Sequence, residues 1–169
     1  MTLRLRAATI EDAVDIARIY NAGIAERIAT FERRTANGGG DRGVAAGSIR
    51  ALLDGTGRAR WAVVGWAGAS EYRARECDAG IADFSVYVES SARGRGVGRA
   101  AMVALVDSCE TRGFWKLVSP VFPDNEASLR LLRSIGFREV GLYRRHAPAR
   151  RCLAGRRHRG APHGAARVP

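Results

Sequence analysis

Cysteine is scarce in this 169-residue chain, and Cys77, Cys109 and Cys152 are odd in number with no C-x-x-C pair among them. That excludes a disulfide framework and a paired-cysteine zinc site, and leaves a reduced, cytoplasmic protein with no structural metal as the expectation. No apolar run approaches the roughly 20 residues needed to cross a bilayer. The opening M-T-L-R-L-R lacks the apolar core of a signal peptide, so no membrane association is expected. Lysine is nearly absent, Lys116 standing alone among 28 basic residues, a bias that fits GC-rich coding better than selection for phosphate binding. Acidic residues stop at Glu139, and eight arginines follow it. Without those eight, 20 basic residues face 17 acidic ones, so most of the net charge of +11 belongs to the tail. Nucleic acid is therefore not an expected partner of the globular part.

What is present reads as one domain, long enough for a real core without covalent staples. Residues 2–7 form a short strand with Leu3 and Leu5 on one face. Thr9 caps a helix over 10–24, with Glu11 and Asp12 in its first turn and Ile16, Ile19 and Tyr20 on its buried stripe. Strands are predicted over 61–72 and 81–88, rich in β-branched and aromatic residues. A helix over 100–111 ends at Gly113, a strand covers 116–122, a helix over 126–135 stops at Gly136, and a strand runs over 137–145. The order is that of an α/β fold with helices on both faces of a mixed sheet.

Between the strand at 81–88 and the helix after it lies R-G-R-G-V-G-R, residues 93–99. Gly94, Gly96 and Gly98 permit a tight turn that presents backbone N–H groups at a helix N-terminus, where the dipole favours an anion. Val97 lies within this turn, and the guanidinium groups of Arg93, Arg95 and Arg99 can add charge-assisted bonds to phosphate oxygens. A Walker loop is excluded because no glycine here precedes Lys and Ser or Thr, and the glycine spacing is wrong for a dinucleotide fingerprint. A pyrophosphate-bearing ligand and a plain surface turn with solvated arginines both remain open from these residues alone.

The flanks carry a further signal. A strand, then R-x-x-G-x-G, then a helix resembles the acetyl-CoA site of the GCN5-related N-acetyltransferase (GNAT) superfamily. D-N-E-A-S followed by L-R-L-L-R-S-I-G-F-R-E-V-G resembles its next conserved unit. More narrowly, I-Y-N-A-G-I with A-T-F-E, G-W-A-G-A-S-E-Y-R-A-R, A-D-F-S-V-Y-V, G-F-W-K-L-V and Y-R-R-H, in this order, resemble the phosphinothricin and arsinothricin N-acetyltransferase branch. The resemblance implies a GNAT domain over residues 1–146 and transfer of acetyl from acetyl-CoA to the amino group of a small acidic amino acid such as phosphinothricin. It also implies homodimers, and resistance to such analogues as a biological role.

Residue by residue, it implies Asp83 as the base, where the branch carries glutamate. Aspartate is shorter by one C–C bond, roughly 1.5 Å, so a relayed water is expected. The backbones of Val86 and Val88 would pair with the pantetheine arm, and Asn125 and Ser128 would contact the cofactor, although D-N-x-x-S is equally a helix cap. Phe31 would wall the substrate pocket. Tyr72, Arg73 and Arg75 would bind the substrate, the two arginines sharing a strand face to clamp an anionic group. Leu132 stands where the branch has a histidine, so a second acid/base group is missing; His146, at a strand exit, lies within possible reach of the site.

Two segments depart from the pattern. Residues 33–57 hold seven glycines and no usable periodicity where the branch has a helix and a strand. Residues 147–169 form a basic tail where it has a final strand, which is expected here to be missing or altered. With permitted codons and one deleted base, A-P-A-R-R-C-L-A-G-R-R-H-R-G-A-P reads as A-R-L-D-G-A-W-R-D-V-V-I-V-E-R, the branch's usual tail. G-G-G-D-R-G-V-A-A-G read one base over becomes A-E-E-I-A-A-W-L-R. Both segments are thus expected to be frameshifted or, in the tail, disordered; the alternative is natural divergence. The competing functional class is a catalytically impaired CoA-binding or basic nucleic-acid-binding module.

Overall fold

The structure is a computed structural model that describes residues 2–27, 29–30, 49–54, 61–147 and 150–158, with backbone alone for 49–54 and from residue 144 onward. Its strands are β1 (Leu3–Ala7), β2 (Ile49–Asp54), β3 (Trp61–Glu71), β4 (Ile81–Val88), β5 (Lys116–Val121), β6 (Arg138–Ala147) and β7 (Arg150–His158). The helices are α1 (Ala13–Glu26), α2 (Val97–Thr111) and α3 (Glu126–Ser134). The strands make one sheet in the order β1-β2-β3-β4-β5-β7-β6, in which only the β4–β5 pair is parallel.

Side-chain alternation sorts the two faces. Ala82 and Phe84 of β4 join Ala67, Ala69 and Leu117 against α2 and α3, where Met102, Leu105, Val106, Leu129 and Leu132 are buried. On the opposite face Ile19 of α1 packs with Val63, Trp66 and Tyr87. Helices therefore cover both faces, as the element order implied. The apolar periodicity of α2 is the reason it seats so deeply: Val97, Met102, Leu105 and Cys109 lose essentially all exposure. Leu3 and Leu5 share one face against Val64 and Val97.

Local signals act as their chemistry requires. The Thr9 N–H donates to Asp12 Oδ2 at 2.8 Å, and a 3-10 turn over Ile10–Asp12 precedes α1. Gly113 and Gly136 take left-handed φ values of 86° and 88° and end α2 and α3.

Three expectations are corrected. Within 33–57, Ile49–Asp54 is a strand, paired on one side with β1 and on the other with β3. The tail also contributes a strand, since Arg150–His158 inserts between β5 and β6. The last strand is thus altered in sequence but still formed. Ladder bonds come from backbone groups, so two open strand edges can pair a segment whose side chains carry no strand pattern. Finally, β3 ends at Glu71, and Arg73 and Arg75 lie on the turn beyond it rather than on a strand face. The rest of 33–57 and residues 159–169 lie outside the described residues, as does Phe31.

Candidate active site

β4 and β5 begin as neighbours and then part. Their register runs from Ile81↔Lys116 to Asp83↔Val118 and stops there, although β4 continues to Val88 and β5 to Val121. The Glu89 N–H donates to Val64 O on the β3 side at 2.8 Å, so by alternation the backbone groups of Val86 and Val88 point toward the side β5 has left. An open strand edge results, and two adjoining clefts occupy the gap.

The first cleft, about 270 Å³, is lined by Val86 and Val88, by Gly94, Gly96, Val97, Gly98 and Arg99 at the head of α2, by Asn125 and Ser128 of the α3 turn, and by Glu26 of α1. Gly94 and Gly96 take φ values of 73° and 79°, a region that disfavours any side chain, and a Cβ on either would meet nothing within 4 Å. The first helical bond of α2 runs from Ala100 N–H to Gly96 O at 3.0 Å. The N–H groups of Val97, Gly98 and Arg99 therefore have no carbonyl four residues back within the helix and head the cleft. This is the tight turn with unpaired helix-start N–H groups that the glycine spacing predicts, termed the cradle. Arg99 lines it, whereas Arg95 does not. Arg93 lines it too, but its bonds go to protein: its Nη2 lies 2.8 Å from both oxygens of Glu26, and its Nε donates to Val88 O at 3.1 Å.

The second cleft, about 200 Å³, shares Ala29, Val86, Tyr87, Asn125 and Ser128 with the first and adds Thr30, Asp83, Ser85, Ser119 and Leu132. Asp83 is half-buried and is the one carboxylate among the described lining residues. Leu132 is buried in this wall, so the position that holds a histidine in the branch is apolar here. Asn125 does cap α3, its Oδ1 accepting from Ser128 N at 3.1 Å, and both residues line both clefts, so the cap and the site coincide. Thr30, Ser119 and Tyr87 are lining residues that the sequence reading missed. Tyr87 was visible inside A-D-F-S-V-Y-V and Thr30 inside A-T-F-E, but Ser119 carries no local pattern.

Tyr72, Arg73 and Arg75 line neither cleft. They follow the end of β3 in the β3–β4 hairpin, where Ser70 pairs with Asp83 and Tyr72 N–H bonds Ile81 O at 3.1 Å. The Arg73 guanidinium lies over the Tyr72 ring, 4.8 Å from its centroid. Tyr87 stacks on Trp66 with centroids 5.0 Å apart, meets Tyr20 edge-on at 5.0 Å, and donates through its hydroxyl to Ala29 O at 3.4 Å. His146 falls on β6, and its side chain lies outside those described. Beside the cradle, burial works against the charge of Arg18. Its bonds and attraction to Glu89 and Asp15 outweigh that and hold its pKa above the ordinary value.

A model of the acetyltransferase (GNAT) family matches residues 16–137, a span that contains both clefts. The chain belongs to the GNAT family. A phosphinothricin N-acetyltransferase of Streptomyces coelicolor is 37% identical over 82 residues, 48% of each chain, so this chain spans about half the length of that relative. An L-methionine sulfoximine/L-methionine sulfone acetyltransferase of Pseudomonas aeruginosa is 28% identical over 155 residues, 83% of each. Among solved structures, a GNAT phosphinothricin acetyltransferase of Sinorhizobium meliloti in complex with acetyl-CoA superposes with a TM-score of 0.83 at 27% identity. That match covers 95% of this chain and 90% of that one. The expected fold class and superfamily therefore hold for this GNAT chain. No helix among the described residues is long and apolar enough to cross a membrane.

Proposed function

We propose that the protein is an N-acetyltransferase that takes acetyl-CoA in the first cleft and the amino group of a small acidic amino acid, phosphinothricin or a related analogue, in the second. The observation that carries this reading is the meeting of the two clefts at Val86, where an open strand edge runs from the anion cradle toward Asp83. The cradle fits a pyrophosphate, since Gly94 and Gly96 leave open space and its helix N-terminus offers N–H donors. The edge fits an extended amide-bearing arm, which it would bind as an added strand through Val86 and Val88.

Acetyl-CoA supplies an activated acetyl group as a thioester. Asp83 accepts the proton that the amine must lose, directly or through one water, because an ammonium has no lone pair with which to attack. N–H groups of the β4 edge stabilise the negative charge that develops on the acetyl oxygen; the C–S bond then breaks, and CoA leaves as its thiol with the second proton that the nitrogen loses. Tyr72, Arg73 and Arg75 stand at the acceptor end of the hairpin, where an anionic side chain would extend past Asp83. The names of the two relatives bear on this class: phosphinothricin ends in an anionic tetrahedral phosphinate, and methionine sulfone in a neutral tetrahedral group of similar shape.

The test is release of free thiol from acetyl-CoA on addition of phosphinothricin or methionine sulfone, with acetyl-CoA binding measured separately by calorimetry. Turnover with either amine is expected. Binding without turnover would favour an impaired CoA-binding module, for which Leu132 in the second cleft is the supporting observation. No binding would end the acetyl-CoA reading.

A further inference from the structure

We propose that Arg93, the first residue of R-x-x-G-x-G, acts not as a phosphate ligand but as half of an ionic brace, with Glu26 of α1 as the positioning residue that holds the cradle in shape. This rests on the reading of the first cleft as the acetyl-CoA site. Three observations lead to it.

Two of the three Arg93 guanidinium nitrogens are already committed. Nη2 meets both Glu26 oxygens at 2.8 Å, and Nε holds Val88 O at 3.1 Å, so one side chain ties α1 to the end of β4. Next, the cradle packs closely only at its α2 end, where Gly98 lies against Leu131 and Val88; the outer turn has little packing of its own. Gly94 and Gly96 face open space, and the turn is anchored by its flanks, where Ala92 and Val97 are buried. An unpacked turn keeps only the shape that its anchors impose. Lastly, the brace has a counterpart of reversed polarity. Arg18, also on α1, places Nη1 2.7 Å from Glu89 Oε1 and bonds Val63 O at 3.1 Å through Nη2. The connection from β4 to α2 is therefore held to α1 at Glu89 and again at Arg93. Glu26 is the last residue of α1, and Arg27 after it takes a left-handed φ of 57°, which ends the helix at the point where the carboxylate is needed.

A glutamate lining an anion site would ordinarily weaken it, which gives the proposal a sign that can be tested. Glu26→Asp keeps the charge and shortens the reach; Arg93→Gln removes the fork. Both are expected to raise KM for acetyl-CoA about five-fold, the scale of a half-exposed ion pair, with kcat and KM for the amine unchanged. The double variant Glu26→Asp with Arg93→Gln should be no worse than Arg93→Gln alone, because both remove one brace. If Arg93 instead bound phosphate directly, Glu26→Asp would leave KM for acetyl-CoA unchanged or lower it, and the two effects would add; either result overturns the proposal. Wild-type protein that binds no acetyl-CoA would overturn the functional reading itself, a failure distinct from a wild type that binds with unaffected variants.

Discussion

The cradle and the acceptor cleft are made in different ways. The cradle is built mainly from one stretch, residues 86–99, whose glycines and helix start dictate its shape locally, with α1 and the α3 turn closing its sides. The acceptor cleft takes Thr30, Asp83, Ser119 and Asn125 from four separated segments, and the strands framing the sheet beyond it include β2 and β7, whose sequences depart most from the branch. A phosphate grip relies on backbone N–H groups and so survives wide change in side chains. Recognition of one amine depends on side chains brought from far apart, and it is where family members can diverge.

The largest expected effect breaks the acceptor half alone. Asp83→Asn should lower kcat roughly 10²- to 10³-fold, the contribution of a positioned base, while calorimetry finds the affinity for acetyl-CoA unchanged. Asp83→Glu restores the longer reach and should keep or raise kcat in the same assay. If Asp83→Asn retains full turnover, proton removal lies elsewhere.

The converse variant strikes the cradle. Gly96→Val places a β-branched residue at a φ of 79°. The strain of about 1–2 kcal/mol should raise KM for acetyl-CoA about ten-fold, with kcat at saturation preserved. A fall in kcat instead would mean that the two clefts do not separate binding from chemistry.

A smaller effect sharpens the acceptor side. Replacing Arg73 and Arg75 together by Ala should raise KM for phosphinothricin about five-fold, since both are exposed, and should leave KM for acetyl-CoA alone. An unchanged phosphinothricin KM would remove the turn after β3 from the substrate site.

The smallest effect concerns the core that both halves share. Burial raises the pKa of the Cys109 thiol. The unfolded chain then ionises first, and the stability contributed below the ordinary thiol pKa of about 8.5 is lost as pH rises toward the folded value. The melting temperature should therefore fall more steeply above about pH 9 in the wild type than in Cys109→Ala.

Much of the cradle half was legible because its signals are short-range. The glycine spacing, the limits of β4 at Ile81 and Val88, and the stops at Gly113 and Gly136 depend on backbone preferences acting over a few residues. Arg93 shows where such reading stops. Its place in the motif suggests a phosphate ligand, yet the partner it finds is Glu26, 67 residues away in sequence. Ser119 was missed for the same reason, since nothing beside it in the chain marks a cleft wall. The strands Ile49–Asp54 and Arg150–His158 carry no strand pattern that sequence could reveal, and their backbones are seen to pair only in the sheet.

By itself, the sequence determined the element order and the position of the glycine turn, properties of local spacing and apolar periodicity, and the resemblance of its ordered motifs pointed to the family. Only the tertiary structure decided that β4 and β5 part after Asp83, that the two clefts meet at Val86, and that Arg93 serves α1. Those facts depend on which distant groups come within bonding distance, and that is set by packing rather than by neighbours along the chain.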